Sequence, residues 1–248
     1  MFAILIKFFE PQYVQMFLDG NLYFKNTGYF IDLEKKHGDK GIGDKYEGSH
    51  FRHFDPTKGE ISIGLPGGQM HKINVTRGYF TQTYETVRQF QLTCFAGIFD
   101  EEMEHVDENT DKIKSEIIEH LKKEFPDRVP ILILNENEFF KKLDNAFIEK
   151  GIGAYHGLVK YFDEHAETPF KREEYEKNMT QAFFYKRKFF NAQKEYRIIT
   201  SHPVEGDSLT VNLGDISNDV LNLESADTLE KIEIRKVEEG FILTIVDK

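Results

Sequence analysis

Short apolar runs alternate along the chain with Gly-rich and charged connections. Residues 2–8 form a compact run of Phe, Ile, Ala and Leu interrupted only by Lys7, which predicts a buried strand. Glu10-Pro11 interrupts it and opens a helix with Pro in the first turn; Tyr13, Val14, Met16, Phe17 and Leu18 supply the apolar face, and Asp19-Gly20 ends it. At 22–25, Leu22 and Phe24 alternate with Tyr23 and Lys25, a short extended segment. Residues 35–60, with Gly38, Gly41, Gly43 and Gly48, read as a long irregular stretch, a kind of segment that is often functional in a compact domain. The turn Pro66-Gly67-Gly68-Gln69 between 61–65 and 72–75 predicts a hairpin, and 90–95 a further strand.

The character changes at 100–124, where ten acidic residues stand against four basic ones, a net charge of −6. Ile113, Ile117, Ile118 and Leu121 recur there at helical spacing, so its second half reads as an amphipathic helix. A strand follows at 129–134. Asn135 then caps a helix over 136–148, accepting from the free N–H groups of its first turn. Strands are expected at 154–162, 195–200 and 208–213, a charged helix at 171–181, and a closing hairpin from Ile232 and Ile234 to 241–246 through Glu239-Gly240. Interspersed helices and several hairpins predict an α+β fold: a single domain over 1–248 with a mixed, largely antiparallel β core, peripheral helices and an acidic helical insertion at about 100–150.

Composition narrows this picture. With 248 residues the chain can bury a core without a metal or disulfide staple, and its one cysteine, Cys94, forms neither an internal disulfide nor a multi-cysteine zinc site. The net charge of −11 argues against general nucleic-acid or anionic-membrane binding. No apolar run approaches the ~20 residues that span a bilayer, and the apolar start lacks a basic n-region and a cleavage site. A cytoplasmic address is expected.

Candidate chemistry is concentrated in few places. Residues 38–45 match neither a phosphate loop nor a dinucleotide fingerprint. In Gly43-Asp44-Lys45-Tyr46-Glu47-Gly48, two carboxylates three apart, bracketed by glycines, can converge on one side of a tight turn and bind backbone or an arginine. His50, His53 and Asp55 fall short of a metal signature, so no metal is expected. His156 sits in an apolar strand, either as a satisfied histidine or as a cleft acid, base or donor. Cys94 reads as a core thiol. The richest segment is 183–200: aromatics interleave with Lys186-Arg187-Lys188, and Gln193, Glu195 and Arg197 then share one face of a strand. This describes either a structural ion network, with Arg197 bracing Asp44 or Glu47, or a polar cleft wall. In the second case the basic run faces phosphates, a local positive spot suited to a nucleotide as well as to a strand of nucleic acid.

In their order, the Gly-Asp-x-x-Glu-Gly turn (Gly43, Asp44, Glu47, Gly48), the Cys94-Phe95 strand, Tyr155-His156-Gly157, and Lys186 to Arg197 resemble an uncharacterised bacterial domain-of-unknown-function family. Phe190 stands where that family usually has Trp, and Gln193 where it usually has Glu. The resemblance implies an association with mobile elements and phage defence. Gln193-Lys194-Glu195 is also distantly similar to the motif of ADP-ribosyltransferases. That likeness implies that Glu195 holds the nicotinamide ribose and stabilises an oxocarbenium-like transition state, that Gln193 orients the acceptor, that Lys7 stands in for the first-strand Arg or His, and that residues 79–83 form the middle element. The cofactor is unknown, with NAD as the implied substrate.

Two function classes follow, with a third behind them. One is a nucleotide- or NAD-acting enzyme of phage–host conflict, with Glu195 and Gln193 catalytic and Lys7, Asp44, Glu47, His156, Lys186 and Arg197 lining the cleft. The alternative is a non-enzymatic interaction protein, an inhibitor or regulator whose acidic segment 100–124 docks a basic protein partner. A nuclease using Asp44 and Glu47 comes third. An open pocket at these residues favours the enzyme, and a closed ion network makes them a matter of fold.

Overall fold

The structure is a computed structural model that describes residues 3–38, 41–237 and 240–246. Its fold is α+β, built on an eight-stranded sheet. In spatial order the strands are Ala154–Leu158, Glu195–Thr200, Gln91–Phe99, Ala3–Phe9, Val129–Ile133 and Val220–Asn222. Asn21–Asn26 also pairs with Gln91–Phe99 and carries Ser208–Asn212 on its other edge. Every pairing in this sheet is antiparallel.

The strand Gln91–Phe99 is the spine. On one edge it pairs with Glu195–Thr200, from Ala96 opposite Glu195 to Leu92 opposite Ile199. On the other edge the sheet forks. Ala3–Phe9 takes the C-terminal half, from Ile6 opposite Ala96 to Ala3 opposite Phe99, and Asn21–Asn26 takes only Gln91 and Leu92. Thr93 to Phe95 lie in the gap between the two, and the Lys7 ammonium fills it, donating to Thr93 Oγ1 (2.8 Å) and to the Cys94 carbonyl (2.9 Å). A buried backbone carbonyl must find a donor, and here a side chain replaces the missing strand.

Both faces of the sheet are covered, which is why its strands read as continuous apolar runs. Leu5, Phe95, Ile131 and Ile198 face the helix Glu136–Glu149, through Phe139, Leu143 and Phe147. Ile4, Ile6 and Ala96 face the helix Ser115–Glu124 and the strand Ile232–Val237. Farther along that second face, Leu92 and Ile199 pack with Ile31, Val87, Phe90 and Phe183. Among the described residues no helix is long and apolar enough to cross a membrane.

Several local expectations need correction. The stretch 35–60 is less irregular than its composition implies: Thr27–His37 is a helix and His50–Phe54 a strand. Asn26 starts that helix by accepting from the Tyr29 N–H at 2.9 Å, and Gly38 ends it at φ +69°. The stretch 100–150 is not a helical insertion, since its strand Val129–Ile133 lies inside the main sheet and the pair Met103–His105 and Thr110–Ile113 joins the C-terminal hairpin. The helix expected at 171–181 is confined to Arg172–Lys177, with a 3₁₀ segment at Met179–Phe184. The strand expected at 154–162 breaks where Val159 N–H turns to the Glu195 carbonyl (2.9 Å), and Lys160–Phe162 pairs in parallel with Tyr185–Arg187. Asp39 and Lys40 of the glycine loop, and Glu239 of the closing turn, lie outside the described residues.

Candidate functional site: a closed ion network

The turn Asp44–Ser49 is built by its own short hydrogen bonds. Tyr46 N–H donates to Asp44 Oδ1 (3.0 Å), Glu47 N–H to the Asp44 carbonyl (3.0 Å) and Ser49 N–H to the Tyr46 carbonyl (2.9 Å). Gly48 closes it at φ +66°, where a Cβ would sit 2.6 Å from both Phe183 and Val87. Only glycine fits both the dihedral and the space. The turn therefore presses onto the sheet face and presents Asp44 and Glu47 inward, both buried.

Arg197 reaches them from the sheet. It is 1% exposed and lies on the face of Glu195–Thr200 that also carries Glu195 and Ile199. Its Nη1 donates to Glu47 Oε1 (2.7 Å) and its Nη2 to Glu47 Oε2 (3.0 Å), while Nε donates to Glu195 Oε2 (2.6 Å) and Nη1 also meets the Phe183 carbonyl. A guanidinium presents its donors in a planar fork, which suits this two-carboxylate arrangement. Glu195 accepts in addition from Lys186 Nζ and lies 3.5 Å from Cys94 Sγ. Its backbone N–H donates to Tyr161 Oη at 2.9 Å.

Lys186 and Gln193 complete this layer. Lys186 Nζ donates to Gln193 Oε1 (2.8 Å), and Gln193 Nε2 donates to the Gly41 carbonyl. Gln193 lies in a 3₁₀ turn rather than in the strand, and Lys194, at φ +50°, swings the chain so that Gln193 and Glu195 meet the same ammonium. Arg187 forms a second layer, donating to Glu34 Oε2 and Asp44 Oδ1, both at 2.8 Å. Phe190 sits between the two cations, its ring centre 4.2 Å from Lys186 Nζ and 5.2 Å from the Arg187 guanidinium.

Electrostatics follow from this packing. Burial alone would push the Glu195 carboxyl up, but Arg197 and Lys186 outweigh it and hold the group at about 2. At Glu47 burial outweighs Arg197, with Asp44 adding to the upward push. Burial and the nearby Glu195 carboxylate push the Cys94 thiol up to about 12, so it stays protonated. Burial lowers Lys7 to about 8.

Six of the eight residues singled out from sequence therefore converge: Asp44, Glu47, Lys186, Gln193, Glu195 and Arg197, all buried. The other two lie on the opposite side of the sheet. Lys7 bonds the Thr93 side chain, whereas Glu195 meets that of Cys94, and neighbouring side chains in a strand point to opposite faces. His156 stacks on Phe140 (4.5 Å, 18°) and bonds Tyr196, which alternates with Glu195. The basic run does not face phosphates as a unit: Lys186 and Arg187 are consumed internally, and Lys188 alone of the three is exposed. Sequence reasoning missed Glu34, buried on the helix Thr27–His37, and Tyr161. Among the described residues no three His, Cys, Asp or Glu side chains gather to hold a metal ion. Comparison with protein-family models, with curated proteins and with solved structures gave no match.

Proposed function

We propose that the chain is a non-enzymatic interaction protein, an inhibitor or regulator that docks a basic partner through its acidic segment 100–124. The observation carrying this reading is the closure of the ion network: each candidate catalytic side chain is buried and spent on another group of the same chain. A catalytic carboxylate has to be reached by substrate, whereas Glu195 is 7% exposed and both its oxygens face internal cations. The acidic segment supports the other half. Glu102 is turned inward, holding Lys194 (2.7 Å) and the Phe99 N–H (2.9 Å), but Asp100, Glu101, Asp107 and Glu108 are exposed. Charges placed so steer a partner of opposite sign and fix its orientation.

Two measurements test this. Wild type incubated with NAD should release no nicotinamide, and Glu195→Gln should lower Tm by roughly 10 °C, the cost of leaving buried cations unpaired. Turnover that vanishes in Glu195→Gln at unchanged Tm instead assigns the network to glycosidic chemistry. Calorimetry with a decalysine peptide should show binding that weakens with salt and is lost when Asp100, Glu101, Asp107 and Glu108 are changed to their amides. Unchanged affinity in that variant rejects the acidic face as the docking surface.

A further inference from the structure

We propose that residues 52–82 form an arm that embraces a second copy of this chain, laid against that copy's acidic segment. The inference rests on the docking reading above and names the basic partner as the chain itself. The arm is a broken two-stranded ladder: His50–Phe54 pairs with Gly78–Gln82, and beyond a loop on each side Ile61–Ile63 pairs with His71–Ile73. Not one residue from 52 to 82 is buried. The inner ladder is braced by Tyr79 against Tyr46 and His165 and by His53 N–H on Thr168 Oγ1, but the outer ladder has no covering layer, and two such strands are marginal in water because ordering them costs entropy that no core offsets.

The outer ladder is nonetheless amphipathic. Ile61 stands opposite Ile73, with Ile63 on the same face, while Ser62 and Lys72 point the other way. Ile63 is 64% exposed, Met70 59% and Leu65, at the tip, 81%. A cleft of about 230 Å³ opens between the two parts of the arm, its lining mixed, with Glu60, Lys72 and Asn74 beside Phe54, Ile61 and Val75. An apolar sheet face of this kind marks a surface that another layer covers.

Charge selects what covers it. The arm carries four basic residues against two acidic ones, in a chain of net charge −11. Its own acids are already engaged, Asp55 with Lys58 (3.3 Å) and Glu60 with Lys72. Arg52 and Arg77 have no acidic partner among the described residues. A positive arm on a negative body is complementary to the body of its own copy. Reciprocal exchange of two arms over two acidic segments uses each surface once and closes as a two-fold dimer rather than a filament.

Light scattering over a micromolar concentration series tests the proposal. Wild type should have twice the chain mass of 29.0 kDa. The combined variant Ile63→Glu, Leu65→Glu, Met70→Glu should fall to the single-chain mass at unchanged Tm, because those side chains contribute to no core. The amide variant of Asp100, Glu101, Asp107 and Glu108 should also be monomeric. A wild type that is monomeric throughout, or a dimer that survives either variant, overturns the inference, as does a monomer whose arm instead binds duplex DNA. A monomeric wild type that still binds decalysine fails this inference alone, and one that binds neither fails the docking reading as well.

Discussion

Arg197 and Glu47, 150 positions apart in the chain, meet in a two-point contact of 2.7 and 3.0 Å. The contact joins the sheet to the turn that lies on it. It forms a charged layer on the sheet face between two apolar clusters, one around Ile4 and Ile98 and the other around Phe90 and Phe183. Because both partners are buried, removing one strands the other. Glu47→Gln should cost about 3–5 kcal/mol. The check is a lower urea midpoint with an unchanged denaturant slope.

Acid should weaken the adjoining contact of Arg197 with Glu195. The Glu195 carboxyl is held at about 2, below its ordinary value of 4.5. A depressed carboxylate contributes stability that is complete above the unfolded value and is lost as pH falls through the folded one. Denaturation of wild type and Glu195→Gln should therefore differ most above pH 4.5 and converge as pH falls from there to about 2. A difference that stays constant over that window contradicts the assignment.

Lys7 acts with the same sign at high pH, for the opposite reason: burial there disfavours the charged form. Its ammonium is lowered from 10.5 to about 8, so between those values the unfolded chain binds more protons than the folded one. Stability contributed by this residue should rise as pH climbs from about 8 to 10.5. The stability of wild type minus that of Lys7→Met, followed by urea denaturation over this range, should show the rise. NMR of the methylated lysine should give a midpoint near 8.

Gly48 tests the backbone that aims the carboxylates. Gly48→Ala demands a left-handed alanine and drives its methyl into Phe183 and Val87. Strain and overpacking together should cost about 3 kcal/mol. Gly38 also has positive φ, but an alanine methyl there would meet no atom within 4 Å. Gly38→Ala should therefore cost about 1 kcal/mol. Thermal denaturation of the two variants side by side reads the difference.

Where one residue type and one period settle the question, the sequence was legible. The first strand and the helix Glu136–Glu149 with its Asn135 cap follow directly from apolar spacing and capping chemistry. The shared face of Glu195 and Arg197 follows from the twofold period of a strand. The helix Thr27–His37 was obscured because its apolar side is narrow, Phe30 and Ile31 chiefly, and its C-terminal half merges in charge with the glycine loop. Nor could the burial of Lys186 be read from sequence: an isolated lysine avoids the interior, and only Gln193 and Glu195, brought round by the left-handed Lys194, make that position tenable. The fork was hidden for a different reason, since choosing which of two strands pairs with Gln91–Phe99 is a matter of tertiary register.

A sheet that forks has one stem and two branches. Ala3–Phe9 with Val129–Ile133 makes one branch, Asn21–Asn26 with Ser208–Asn212 the other, and between them stands a single lysine where neighbouring strands would otherwise share a ladder. Each branch can thus loosen from the stem without tearing the other's hydrogen bonds. Amide exchange should accordingly fall into separate protection groups, with the stem the last to open. The molecule has a seam along which it yields first, and Lys7 is the stitch.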